Sequence, residues 1–197
     1  MNIWQTAQTG ERDWWGNCAN TFGEQEKQLT YAAKMGLKFH HNTKSPYNID
    51  MKGASVLDIG GGPCSLLLKC VNAYRSTVAD PCDYPKWVGD RYKCAGITYE
   101  RIAGEDLVDH GYDEVWIYNV LQHTDRPDQV VGNALAAGKI VRVFEWINTS
   151  TNAEHPHSLT EDKLNEWLGG MGQIDVLRAR TLMGQCYYGV FKGRSFE

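Results

Sequence analysis

The sequence predicts an α/β chain built on a mostly parallel sheet with helices on both faces. Three observations carry that reading. Short apolar runs alternate with helix-period segments between residues 55 and 168, the rhythm of strand–helix–strand units. The first run stops at Gly60-Gly61-Gly62, where a strand must turn sharply. The last two runs are joined by too few residues for a parallel crossover, so they must pair antiparallel.

Each element follows from the local pattern. From Trp14 to Met35 the chain is polar, with Trp14, Trp15, Cys18, Phe22, Leu29, Ala32 and Ala33 spaced for a helix or helix pair ended by Gly36. Lys38 to Lys52 reads as loop, punctuated by Asn42, Ser45-Pro46 and Asn48. Residues 1–52 are therefore expected to form an N-terminal helical extension, and 53–197 the ligand-binding domain. Ser55–Ile59 is the first strand. Ser65–Tyr74 is expected to be a helix, with Leu66, Leu67, Leu68, Cys70 and Val71 apolar. Further strands are expected at Ser76–Ala79, Ile97–Ile102, Glu114–Val120 and Lys139–Trp146, with a helix over Pro127–Ala137 before the last of these. Thr160–Leu168 reads as another helix, which Thr160 can cap. Ile174–Ala179 and Gln185–Phe191 close the chain as a hairpin around Leu182-Met183-Gly184. The sum is seven strands in a Rossmann-like three-layer sandwich, mostly parallel, with an antiparallel C-terminal hairpin.

Composition narrows the class. The chain has 197 residues, 42% hydrophobic and 22% charged, which fits one globular domain with an appendage and argues against disorder. A net charge of −4 argues against a nucleic-acid partner held through its phosphates. No apolar run reaches the roughly 20 residues that span a bilayer, and Met1–Gly10 lacks the pattern of a secretory signal. The six cysteines form no CxxC pair and match no zinc spacing. Reduced thiols, a cytoplasmic location and no bound metal are the expectations.

In open α/β sheets, ligands bind outside the carboxyl ends of the strands. The run Val56-Leu57-Asp58-Ile59-Gly60-Gly61-Gly62-Pro63-Cys64 puts a glycine turn there, and amides near the start of the helix expected to follow can receive polar or anionic ligand groups. Asp58 can order the turn or accept from a ligand amine. Roughly 20 residues later, Asp80-Pro81 ends the second strand, where an acid accepts from ribose hydroxyls. Gly104-Glu105-Asp106-Leu107 follows the third strand, suited to an adenine edge, and Asn119-Val120-Leu121-Gln122-His123 opens on the same rim.

These residues carry a resemblance. The segment from about Gly53 to Lys192 resembles a class I S-adenosylmethionine (SAM)-dependent methyltransferase. Val56–Gly62 resembles the family's first motif, Asp80 its ribose-binding acid, and Glu105-Asp106 its adenine-binding position. Tyr112 to Asn119 resembles its fourth-strand motif. The resemblance implies SAM as cofactor and S-adenosylhomocysteine (SAH) as product. It implies a cofactor site of Asp58, Gly60, Gly61, Gly62, Asp80, Pro81, Glu105, Asp106, Asn119 and Val120. Cys64 stands where many members have a third glycine.

Beyond the cofactor, His123 is the leading candidate for a general base; the alternative is that it only packs or caps the following helix. His155 and His157, in the loop after the fifth strand, can be base, metal ligand, substrate contact or plain surface; His157 joins His123 as a catalytic candidate. Trp14, Trp15 and Tyr31 form a lid over the ligand or anchor the N-terminal helices. Asn119 is not followed by Pro-Pro-aromatic, and Pro81-Cys82 follows the wrong strand for a cytosine nucleophile. Both facts argue against DNA-base methylation. The expected activity is methyl transfer to an O or N acceptor on a small molecule or sugar-like metabolite. Two alternatives stay open: a SAM-binding sensor or complex subunit without transfer, and a nicotinamide-binding oxidoreductase. The oxidoreductase fits less well, because Ser65 stands where G-x-G-x-x-G needs its last glycine.

Overall fold

The computed structural model describes residues 3–19, 21–40, 48–179 and 182–194. All five residues of β1 (Ser55–Ile59) are buried, as a strand covered on both faces requires. The sheet continues with β2 (Arg75–Ala79), β3 (Thr98–Glu100), β4 (Tyr112–Tyr118), β5 (Gly138–Ile147), β6 (Gln173–Ala179) and β7 (Leu182–Lys192). Its spatial order is β3-β2-β1-β4-β5-β7-β6. The first five strands pair parallel, and β7 runs antiparallel to both β5 and β6. Strand order reverses between β1 and β4, so the loops leaving their carboxyl ends diverge and open a crevice.

Among the described residues, five α-helices accompany the sheet: α1 (Ile3–Trp15), α2 (Phe22–Lys34), α3 (Lys86–Cys94), α4 (Pro127–Ala137) and α5 (Glu161–Leu168). Strand alternation divides the core in two. Leu57, Ile59, Val115 and Ile117 face one side, against Val130, Val131 and Leu135 of α4 and Leu164 and Leu168 of α5. Val56, Trp116, Tyr118 and Phe144 face the other, against Tyr31 and Ala32 of α2 and Val88 and Tyr92 of α3. As the sequence predicts, Thr160 caps α5, its hydroxyl accepting from the Lys163 amide. Among the described residues, no helix is long and apolar enough to cross a membrane.

The structure departs from the sequence-based expectation in four places. The helix expected over Ser65–Tyr74 does not form. Short 3-10 turns span Gly62–Cys64 and Leu66–Lys69, and Cys70–Val71 then pairs with Ile49–Asp50 in a small separate sheet that also holds Phe39–His40. Pro63 has no amide to donate. Ser65 is extended, at φ −47° and ψ 147°, while the Ser65 and Leu66 amides donate to the hydroxyls of Tyr92 and Tyr118. Part of that small sheet falls within Lys38–Lys52, expected as loop; Asn42 and Ser45-Pro46 lie outside the described residues. Helices α1 and α3 are additions, α1 beginning well before Trp14. Lastly, Leu182-Met183-Gly184 belong to β7, paired with Leu177–Ala179, so the hairpin connection lies earlier than expected.

Candidate functional site

The crevice is built on the glycine turn. Gly60 leaves β1 with φ +70°, and its amide donates to the Ala79 carbonyl at 2.7 Å. A Cβ at Gly60 would stand 2.5 Å from a Val120 methyl carbon. Only glycine lets the loops after β1 and β4 meet this closely.

Two buried aspartates fix the turn. Oδ2 of Asp58 accepts from the hydroxyls of Ser65 and Tyr118, both at 2.5 Å. Its Oδ1 has no hydrogen-bond partner among the described residues. Burial pushes the Asp58 carboxyl up to about 7, against the pull of those two hydroxyls. Asp80 accepts from the Gly62 amide at 3.0 Å through Oδ2 and from the Cys82 amide at 2.9 Å through Oδ1. Burial raises it to about 6. No α-helix starts at the turn, so the Gly62 amide answers to Asp80 rather than to a helix axis.

The loop after β4 forms the opposite wall. Asn119 has φ +58°, and the next two amides, of Val120 and Leu121, converge on Oε1 of Glu145 at 3.0 and 3.1 Å. Glu145 is fully buried, its Oε2 is unpartnered among the described residues, and burial pushes its carboxyl up to about 8. This carboxyl pins the loop that delivers His123. Nδ1 of His123 lies 3.0 Å from the Glu154 carbonyl. A carbonyl only accepts, so Nδ1 carries the proton and Nε2 of the neutral ring is left basic. Burial lowers the His123 pKa, which favours that neutral form at physiological pH.

Three adjoining compartments fill the crevice, and Glu11 and Asn119 line all three. One, of about 60 Å³, is bounded by Gly60, Asp80, Pro81, Glu105, Val120 and His123 on the sheet side and by Trp4 and Gln8 of α1 above. A second, of about 50 Å³, lies between Gly60–Gly62 and Glu24, Gln28 and Tyr31 of α2. The third, of about 310 Å³, is walled by Trp14, Trp15, Tyr31 and Trp146, with Glu24, His123, Glu154 and His155 also facing it.

Most residues predicted from sequence meet here, but not all in the expected posture. Glu105 lines the first compartment, yet its carboxylate accepts from the Asp125 and Arg126 amides at 2.8 and 3.1 Å, serving the start of α4. Asp106 is exposed and lines none of the three compartments. Asp58 lies beneath the turn rather than on a cavity wall. His157 also lies off the cavities, its Nε2 3.2 Å from the Asp125 carbonyl. His155 occupies the wall instead, its ring 4.6 Å from that of His123. Sequence reasoning missed Glu11, Glu24 and Gln28; with α1 unforeseen, nothing pointed Glu11 at the site.

Sheet order, crevice and closing hairpin together define the class I SAM-dependent methyltransferase fold. Solved structures agree across the whole chain. Magnesium protoporphyrin IX methyltransferase from Synechocystis PCC 6803, solved with bound SAM, superposes at a TM-score of 0.61 with 13% identity over 95% of this chain and 97% of that one. The N-methyltransferase NodS from Bradyrhizobium japonicum WM9, in complex with SAH, gives 0.60 with 12% identity over 99% and 100%. The mitomycin 7-O-methyltransferase MmcR gives 0.58 with 15% identity over 98% of this chain and 61% of that one. At these identities the likeness is one of fold. No family model and no curated protein matches the sequence.

Proposed function

We propose that this chain is a SAM-dependent methyltransferase acting on an O or N atom of a small acceptor. The observation that carries the reading is the position of His123. It borders both the compartment beside Gly60 and Asp80 and the 310 Å³ compartment lined by aromatics, so a basic nitrogen stands where a cofactor and an acceptor would meet. The fold's neighbours include an O- and an N-methyltransferase by name.

The residues present fit the cofactor. The unpartnered Oε1 of Gln28, in the compartment beside the glycine turn, is an acceptor suited to a methionyl ammonium group, and Asp58 would hold the turn from beneath. Asp80 and the glycine turn would hold the ribose, and Pro81 and Val120 the adenosine face. When bound, SAM supplies an electrophilic methyl group on a sulfonium. The chain's own part is to align the acceptor, exclude water and take a proton at Nε2 of His123. The 60 Å³ beneath α1 is well under the roughly 300 Å³ of an ordinary ligand site. Helix α1 therefore acts as a lid that yields to admit the cofactor.

Calorimetric titration with SAM, SAH and NAD tests the reading. SAM and SAH should bind and NAD should not; Asp80→Ala should weaken both by removing the carboxylate that holds the turn. His123→Ala should cut turnover by about 10²–10⁴-fold while SAH affinity stays within error. A chain that ignores SAM and SAH is not a methyltransferase.

A further inference from the structure

We propose that the acceptor is an amine that enters as an ammonium ion, held by the carboxylates and aromatic faces of the large compartment. This rests on the methyl-transfer reading above and names the substrate class of the same site.

The compartment's charge is one-sided. Glu11, Glu24 and Glu154 all line it, and Lys27 is the only lysine or arginine on its wall among the described residues. Lys27 is already paired with Glu24. Neither Glu11 nor Glu154 has a lysine or arginine partner among the described residues. Glu11 instead accepts from the Trp15 indole at 2.7 Å and lies 3.7 Å from Nδ1 of His123. Burial raises the Glu11 carboxyl, against the pull of the Trp15 indole and of His155, and the charges of Glu24 and Glu154 add to the rise. A concave, partly desolvated space lined by several carboxylates favours a cation over an anion.

A second feature points the same way. Trp14, Trp15, Tyr31 and Trp146 line the compartment, and the electron-rich faces of such rings attract ammonium groups. Carboxylates beside them call for N–H donors. An alcohol brings one donor and no charge; a carboxylic acid would arrive as an anion among anions.

The chemistry closes with the residues on hand. Nε2 of His123 takes one proton from the ammonium, freeing the nitrogen lone pair. That pair forms the new N–CH3 bond as the methyl–sulfur bond breaks, its electrons returning to sulfur. The products are a methylated ammonium and SAH. The proton on His123 then leaves to solvent past His155, which shares the cavity wall.

The test is binding to the SAH-saturated protein, titrated with matched probes: 2-phenylethylamine, 2-phenylethanol and phenylacetate, then tryptamine, tryptophol and indole-3-acetate. Each amine should bind about tenfold or more tighter than its alcohol, the acids should bind most weakly, and added salt should narrow the gap. Glu154→Gln, on a residue that lines neither compartment beside the glycine turn, should weaken the amines about threefold and leave SAH affinity unchanged. Alcohols or acids binding as tightly as the amines, or no amine binding while SAH still does, would overturn the proposal. Failure of SAH itself to bind would bring down the methyl-transfer reading first.

Discussion

At the scale of single residues, the candidate site was legible wherever a residue's position depends on its place along a strand. Gly60, Asp80, Pro81, Asn119, Val120 and His123 follow strand ends, and parallel strands deliver their ends to one rim. What spacing cannot convey is which way a side chain turns. Glu105 turned to the start of α4, Asp106 to solvent, and in Glu154-His155-Pro156-His157 the two histidines diverged, so that the wall received His155 rather than His157. Gly60 offers the sharpest test. Its positive φ strains any side chain, and a Cβ would meet Val120 at 2.5 Å. Gly60→Ala should lower unfolding free energy by about 1–3 kcal/mol and weaken SAH binding, read by urea denaturation and calorimetry. The contact is with a side chain, so adding Val120→Ala should recover part of the loss. Strict additivity in that double-mutant cycle would show that the two loops do not touch.

Among the elements, the strands were readable and some helices were not. Strands β1, β4 and β5 are apolar runs because both their faces are covered, and that pattern survives without knowledge of partners. Helix α3 buries only Val88 and Tyr92, one stripe of two residues, too thin to stand out from its charged surroundings. Helix α1 is amphipathic toward a cavity rather than a core: Trp4, Gln8 and Glu11 line a compartment of the crevice, so its inner face is partly polar and hides the period. Stability and function diverge there. Ala7 is fully buried, but the polar inner positions have thin support: Gln8 accepts from the Cys82 thiol and Glu11 from the Trp15 indole of its own helix. Amide hydrogen exchange should therefore show residues 3–15 among the less protected helical segments without ligand, and the most slowed on SAH addition. Strand β1, buried throughout, should change little. Equal slowing across the sheet and α1 would mean global stabilisation, and α1 would not be the lid.

For the molecule as a whole, the same rim concentrates buried acid. Asp58, Asp80 and Glu145 are buried at the carboxyl ends of β1, β2 and β5, and burial raises them to about 7, about 6 and about 8. Unfolded, these groups ionise near 4. Across the interval from about pH 4 to about pH 8 the unfolded chain therefore binds fewer protons than the native one, and stability falls as pH rises. The contribution is fully present below about pH 4 and exhausted above about pH 8. Asp113 acts oppositely at the acid end: Lys139, with help from Ser55, holds it down to about 2, so its contribution fades as pH falls below about 4. Being partly exposed and paired with an exposed lysine, it contributes little. His123 and His155, whose pKa values burial lowers, work the other way below about pH 6.5, so the decline in melting temperature should show most clearly from about pH 6.5 to pH 8. Glu145→Gln separates this cause from others, because the amide oxygen can still accept from Val120 and Leu121 while the ionisation is gone. The variant should match the parent near pH 5 and melt higher at pH 8 and above, the profile flattening most in its upper half. An unchanged slope would mean that Glu145 ionises freely in the native state, with water reaching a carboxyl that otherwise anchors the His123 loop in a dry interior.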